Sequence, residues 1–140
     1  MTVELFPAIR PEAEERAEVL PVAKEIAWDY ARERPLYRRG RPVTVTGAEA
    51  VKAWIWRALR TARCRFDIHT WDYGCEMEQL VGRPFTAAVK ESEAARYVRE
   101  ALAPNPYITG VEQVEAAFGG DRLTVHVRVK TIYGEVDLDV

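Results

Sequence analysis

Four side chains in this chain of 140 residues have the chemistry of soft metal ligands: Cys64, His69, Cys75 and His126. The spacing Cys-x4-His-x5-Cys matches none of the compact ligand pairs that hold structural zinc, and His126 falls in the middle of a strand-like stretch. The pattern reads as two thiols and two ordinary histidines, with no metal and no cofactor expected. Acid–base chemistry needs two carboxylates facing each other across a cleft, and the pairs on offer are Asp72 with Glu76 or Glu76 with Glu78, beside aromatic residues. Carboxylates that open a short helical turn account for the same residues more simply, because the helix N-terminus favours negative charge. Ser92, the one serine, lies in a charged stretch without a glycine elbow, and Gly119-Gly120 reads as a turn rather than a phosphate loop. No catalytic set is legible, so the chain is not expected to be an enzyme.

The chemistry that does stand out is that of an interface. Between residues 60 and 85 the chain follows neither a helical nor a strand period. Arg60, Arg63 and Arg65 lead into Phe66, Trp71 and Tyr73, and then into Gly74 and Glu76. An aromatic cluster of this kind is most often core, yet Trp, Tyr and Arg are also the usual anchors of protein interfaces. Both readings stand for this segment.

The elements around it must hold it. Ile26, Trp28 and Tyr30 alternate, which predicts a strand over residues 25–30, and residues 42–45 predict a second, with a long basic turn over 31–40 between them. Thr46 followed by Glu49 fits a capping box, and Val51, Trp54, Ile55, Ala58 and Leu59 place one apolar face on a helix that runs to about Arg60. Trp56 falls off that stripe. A helical turn is expected over residues 76–81. A second helix is expected from about Thr86 to Ala103, with Ala94, Tyr97, Val98, Ala101 and Leu102 inward, Val89 extending the stripe, and Pro104 and Pro106 ending it. Residues 108–118 predict a strand with a bulge near Gly110. Leu123, Val125, Val127 and Val129 then alternate with Thr124, His126, Arg128 and Lys130, giving one dry face and one wet or partner-facing one. Val136, Leu138 and Val140 continue in extended form after Gly134. The predicted class is α+β, with two main helices packed on a mostly antiparallel sheet.

Composition bounds the rest. Hydrophobic residues make up 48% of the chain, enough for one real core, so a single α+β domain is expected over residues 23–140. Residues 1–22 are acidic and broken by Pro7, Pro11 and Pro21; they read as an extended N-terminal arm with a helical turn near residues 12–19. A formal net charge of −2 argues against nucleic acid or an anionic membrane as the main partner, although Arg34, Arg38, Arg39 and Arg41 form a local basic patch. No basic flank precedes an apolar core at the N-terminus, and no apolar run reaches the roughly 20 residues of a membrane helix. A cytosolic protein with reduced thiols is expected.

The motifs then acquire a likeness. The stretch Thr61-Ala62-Arg63 followed by Trp71-Asp72-Tyr73-Gly74-Cys75-Glu76-Met77-Glu78-Gln79-Leu80-Val81-Gly82 resembles the core of the sheath initiator family of contractile injection systems. The blocks Val98-Arg99-Glu100-Ala101-Leu102, Ile108-Thr109-Gly110-Val111 and Val129-Lys130-Thr131-Ile132-Tyr133-Gly134-Glu135-Val136 fit the family's later motifs in the right order. The resemblance covers roughly residues 25–138 and is similar to the branch found in myophage-like tails of Gram-positive bacteria. It implies a small α/β fold similar to the C-terminal domain of the sheath subunit. It also implies a structural protein of the tail baseplate, assembled in the bacterial cytoplasm as a ring of copies. The implied partners are the sheath subunit, the inner tube protein and the baseplate wedge proteins, with no nucleic acid, membrane or small-molecule substrate.

Within that resemblance the expected interface residues are Arg63, Arg65, Trp71, Asp72, Tyr73, Glu76, Asn105, Tyr107, Thr124, His126, Arg128, Val136 and Leu138. Residues 123–129 or the final strand are expected at an accessible edge, where a partner strand adds to the sheet. Relatives in the phage wedge branch carry Glu-Pro-Arg where this chain has Asn105-Pro106-Tyr107, and the family often has an acid where Ala62 stands. The alternatives are a lysozyme-like peptidoglycan hydrolase using Glu76 and Asp72, which the family's frequent label suggests, and a small adaptor domain of another assembly.

Overall fold

The computed structural model describes residues 19–80, 84–119 and 122–140. The expected helical turn near residues 12–19 and most of the N-terminal arm lie outside the described residues, as do Gly120 and Asp121. The fold is α+β, with helices against antiparallel strands.

Before the first helix the chain makes a forked ribbon. Strands β1 (Lys24–Ile26), β2 (Trp28–Asp29), β3 (Arg34–Pro35), β4 (Tyr37–Arg38), β5 (Arg41–Pro42) and β6 (Thr44–Thr46) pair as β1 with β6, β2 with β3 and β4 with β5. The three ladders meet at one junction. The Ala27 N–H donates to the Val43 carbonyl at 2.7 Å, Leu36 donates to Ala27 at 2.9 Å, and Val43 donates to Leu36 at 2.9 Å. Two expectations change here. The strand read over residues 25–30 is split at Ala27, because its partner switches from β6 to β3. The basic stretch 31–40 is not a plain turn but contributes β3 and β4 to two hairpins.

Helix α1 (Ala48–Arg60) starts at Gly47 rather than in a Thr46–Glu49 capping box; Thr46 stays in β6 and no side chain caps the helix. Gly47 sits at φ 66°, a left-handed turn that a residue with a Cβ resists, and it sets the angle between ribbon and helix. Val51, Ile55, Ala58 and Leu59 are buried as the periodicity requires, while Trp54 is half-buried. Trp56, off the main stripe, is only 5% exposed. It packs against Trp28 and Tyr30 of the ribbon, with ring centroids 5.4 and 6.0 Å away. The helix therefore has two dry faces, one for the core and one for the ribbon, and Glu25 pairs with Arg57 across the same seam.

Helix α2 (Ala87–Leu102) is capped by Thr86, whose hydroxyl accepts from the Val89 N–H at 3.4 Å. Ala94, Tyr97, Val98, Ala101 and Leu102 are buried, whereas Val89 is exposed and does not extend the stripe. The first turn of α2 projects beyond the region the helix packs on. A short 3-10 turn at Met77–Leu80 places Met77 and Leu80 in the same core.

The C-terminal sheet has the order β7-β8-β9, with β7 (Ile108–Gly119), β8 (Arg122–Thr131) and β9 (Gly134–Asp139) all antiparallel. The register shifts between Ile108 and Gly110 and again between Val111 and Gln113, the bulge expected near Gly110. Val125, Val127 and Val129 of β8 and Val136 and Leu138 of β9 pack against α1 and α2. Burying each such aliphatic side chain stabilises the fold by about 1.5–3 kcal/mol.

Candidate functional site

The irregular segment between α1 and α2 is a loop closed at its base and open at its tip. Ala62 and Cys75 form an isolated parallel bridge. The Cys75 N–H donates to the Thr61 carbonyl at 2.9 Å, and the Arg63 N–H donates to the Cys75 carbonyl at 3.2 Å. Gly74 makes this closure possible. A Cβ there would lie 2.8 Å from the Thr61 oxygen and 2.9 Å from the Arg63 Cα, and the residue adopts φ 108°. Inside the loop, His69 lies against Tyr73 with centroids 4.4 Å apart, and Tyr73 meets the edge of Trp54 at 5.9 Å. This small aromatic stack ties the loop to α1 through the half-buried Trp54.

The rest of the loop faces outward. Ile68 is 88% exposed, Trp71 81% and Phe66 50%. Phe66, weighed in the sequence with Trp71 and Tyr73 as core or interface, is half exposed, and Ile68 is the outward residue the sequence reading did not name as an interface residue; its absence from any periodic stripe is the signal that could have found it. Trp71 is at the surface, as an anchor must be, and Asp72 is exposed beside it. Arg63 does not project freely: its Nε donates to the Trp71 carbonyl at 2.8 Å. Arg65 is paired with Glu78 at 3.4 Å. Glu76 is half-buried below the Gly74 pinch, where its carbonyl accepts from the Gln79 N–H at 3.0 Å. Asp72 and Glu76 thus stand on opposite sides of the loop closure.

The four soft side chains are also distributed. Cys64 is exposed and Cys75 is buried. Burial raises the Cys75 thiol above its ordinary 9.0, and its Sγ donates to the Tyr97 carbonyl at 3.7 Å. His69 is in the loop stack, and His126 is on the outer face of the sheet.

After α2, Asn105 is buried rather than presented. Its Oδ1 accepts from the Tyr107 N–H at 2.9 Å and holds the turn into β7. Tyr107 is half-buried, stacks with Tyr133 at 6.2 Å, and donates from its hydroxyl to the Pro21 carbonyl at 2.8 Å. Tyr107 and Tyr133, whose hydroxyl accepts from the Ala23 N–H at 2.9 Å, pin the start of the described chain to the sheet, beside an apolar groove of about 250 Å³ lined by Ala23, Trp54, Pro104 and Pro106 among others.

The sheet corrects one expectation directly. Residues 123–129 belong to β8, the central strand of the sheet; from Val125 onward it is paired on both sides and has no edge for another strand, and Leu123 and Thr124 pair with β7 just beyond the end of β9. The final strand, β9, pairs with β8 alone. Val125 and Val140 exchange two hydrogen bonds, at 2.9 and 2.8 Å, which fixes the phase of the ladder. By alternation, Val136 and Leu138 point their backbone groups at β8, and Glu135, Asp137 and Asp139 point theirs outward. The side chains of Val136 and Leu138 are buried in the core, so neither is presented to a partner. On the outer face, His126 Nδ1 lies 2.6 Å from Asp139, Arg128 Nε donates to Asp137 at 2.9 Å, and Lys130 pairs with Glu112 at 2.8 Å. The Lys130 ammonium, by hydrogen bonding, holds the Glu112 carboxyl below its ordinary range. Thr124 is exposed on this face opposite Ala117. His126 and Arg128 are therefore ordered by the edge strand, which they brace from its polar side.

Comparison with known proteins gives the chain's relatives. The sequence profile of the family described as "Contractile injection system sheath initiator" matches residues 24–134. The chain is also similar to the phage-like element PBSX protein XkdS of Bacillus subtilis (strain 168), at 30% identity over 96 residues, covering 68% of each chain.

Proposed function

The chain belongs to the contractile injection system sheath initiator family, structural proteins of the phage tail baseplate, and we propose that β9 is the template on which the first sheath ring is built. The observation that carries this reading is the free edge of β9. The outward N–H and C=O groups of Glu135, Asp137 and Asp139 have no strand partner among the described residues. An extended segment of a sheath subunit would add there as a fourth strand, with main-chain hydrogen bonds supplying affinity. The core behind β9, through Val136 and Leu138, keeps the template rigid before the partner arrives.

In this reading the loop carrying Phe66, Ile68 and Trp71 meets the inner tube or a wedge protein. Arg63 and Arg65 shape that contact, and copies stand in a ring in the baseplate. Tyr107 sits where wedge-branch relatives carry a charged residue, so a wedge contact here is aromatic. The protein is assembled into the particle in the bacterial cytoplasm.

The ladder phase gives a clean test. Proline at Asp137 removes an outward N–H and leaves the bonds to β8 in place; proline at Leu138 removes a bond inside the sheet. Asp137→Pro is expected to fold and to stop sheath assembly on tube-bearing baseplates, with Asp137→Ala as the control for the lost carboxylate. Full-length sheaths on particles carrying Asp137→Pro would overturn the template role. A pull-down from particle-producing cells, read by mass spectrometry and negative-stain imaging, tests the tube, wedge and sheath partners separately.

A further inference from the structure

The β4–β5 hairpin is a finger whose arginines enter no ion pair among the described residues. Residues 37–42 are all exposed, with Tyr37 64% exposed. The tip is a two-residue turn with Arg39 at φ 50° and Gly40 at φ 74°, the mirror-image geometry that gives a tight hairpin its twist. A left-handed arginine is unusual, since Asn or Asp takes that position at lower cost. Arg34, Arg38, Arg39 and Arg41 are exposed and enter no ion pair among the described residues. The sister hairpin differs: its Glu33 pairs with Arg60 at 2.7 Å, and its Tyr30 and Trp28 lie on Trp56. One arm of the fork is therefore fastened to α1, and the other projects three cations, Arg38, Arg39 and Arg41, with Arg34 at the base of the fork on β3.

The complementary surface is on the same chain. The outer face of the sheet carries five carboxylates, Glu112, Glu115, Glu135, Asp137 and Asp139, against three cations, Arg122, Arg128 and Lys130. No ion pair engages Glu135 among the described residues, and the Asp139 side chain keeps 74% of its exposure despite its contact with His126.

We infer that the arginine finger of one copy docks on the acidic outer face of β9 in the next. A basic patch and an acidic patch at different places on one chain make a head-to-tail contact, which closes into a ring when the rotation between copies permits. The inference rests on copies standing side by side in the baseplate, and it gives that ring its contact. A nucleic acid is the weaker match, because the finger offers a single aromatic residue and the chain carries a net charge of −2.

The test uses purified full-length protein in sedimentation velocity at low and high salt. Wild type is expected to self-associate at low salt and to dissociate as salt rises. Arg38→Glu with Arg41→Glu should be monomeric, and so should Glu135→Lys with Asp139→Lys, each with an unchanged thermal melt. Mixing these two variants restores both an attractive reversed contact and the native one, so association should return. A wild type that stays monomeric at its solubility limit, finger variants that associate like wild type, or a mixture that remains monomeric would overturn the contact. So would a DNA fragment bound by wild type and lost in the finger variant, which would assign the finger to nucleic acid. None of these outcomes bears on whether β9 templates sheath, which is read on particles.

Discussion

Arg63 and Trp71 are joined by a 2.8 Å hydrogen bond from the Arg63 Nε to the Trp71 carbonyl, so the arginine works inside the loop that the tryptophan presents. The bond spans the mouth of a segment whose other ties are the Ala62–Cys75 bridge and the His69–Tyr73 stack. Removing it leaves the core untouched. Arg63→Ala is expected to cost no more than about 1.5 kcal/mol of global stability. It should raise amide exchange across residues 61–75 well above that of α1. If Trp71 anchors a tube or wedge partner, the same variant weakens capture of that partner, because the loop must then be ordered on binding.

Gly74 carries the opposite prediction, a large effect from one methyl group. Its Cβ would meet backbone on two sides, and φ 108° is a region that alanine rarely enters. Gly74→Ala is expected to lose at least about 2 kcal/mol in urea unfolding. A midpoint equal to that of wild type would show that the loop closes in another way.

How far the sequence carried the reading follows from what each element depends on. The second helix, its Thr86 start and the alternation through β8 were legible because each rests on local periodicity and capping. The bulge near Gly110 was legible for the same reason. The forked ribbon was not: its junction at Ala27, Leu36 and Val43 is a choice among partners distant in sequence, and short strands of two residues leave no period to detect. Thr46 and Glu49 made a plausible box, but the left-handed Gly47 was the better hinge. For the candidate site, residue types showed that the loop is unusual, yet not that Arg63 is spent inside it or that Asn105 is buried. Val136 and Leu138 were placed in the right strand, and only the ladder phase separates their buried side chains from the open backbone beside them.

Trp56 was the residue the helical stripe left over, and the ribbon explains it. Its ring packs against Trp28 and Tyr30, and the Arg60 guanidinium lies 4.8 Å from its centroid. Trp56→Ala is expected to cost about 3–5 kcal/mol, as for other large buried aromatics. The loss should appear as increased exchange and proteolysis in residues 24–46 ahead of the C-terminal sheet. Uniform loosening of both regions would mean that the ribbon and the sheet unfold as one unit.

Alkaline pH should destabilise the fold through two groups whose sign is the same. The Tyr30 phenol is pushed up to about 12 from 10.0, mainly by burial and then by Glu49. The Cys75 thiol is raised from 9.0, mainly by burial. Each keeps its proton in the folded state at pH values where the unfolded chain has released it. The folded state then binds more protons, so stability falls as pH rises. The Cys75 contribution is complete below pH 9.0 and the Tyr30 contribution below pH 10.0, and the latter is lost on the way to about pH 12. Tyr30→Phe keeps the ring against Trp56 and removes the titrating oxygen, so its stability should fall less steeply above pH 10.0 than that of wild type. Thiol labelling gives the companion measurement. At neutral pH iodoacetamide should modify exposed Cys64 in the folded protein and reach Cys75 only as the chain opens. The rate at Cys75 therefore reports opening of the core. It should climb with pH faster than thiolate chemistry at Cys64 does, and equal rates at the two cysteines would place Cys75 at the surface instead.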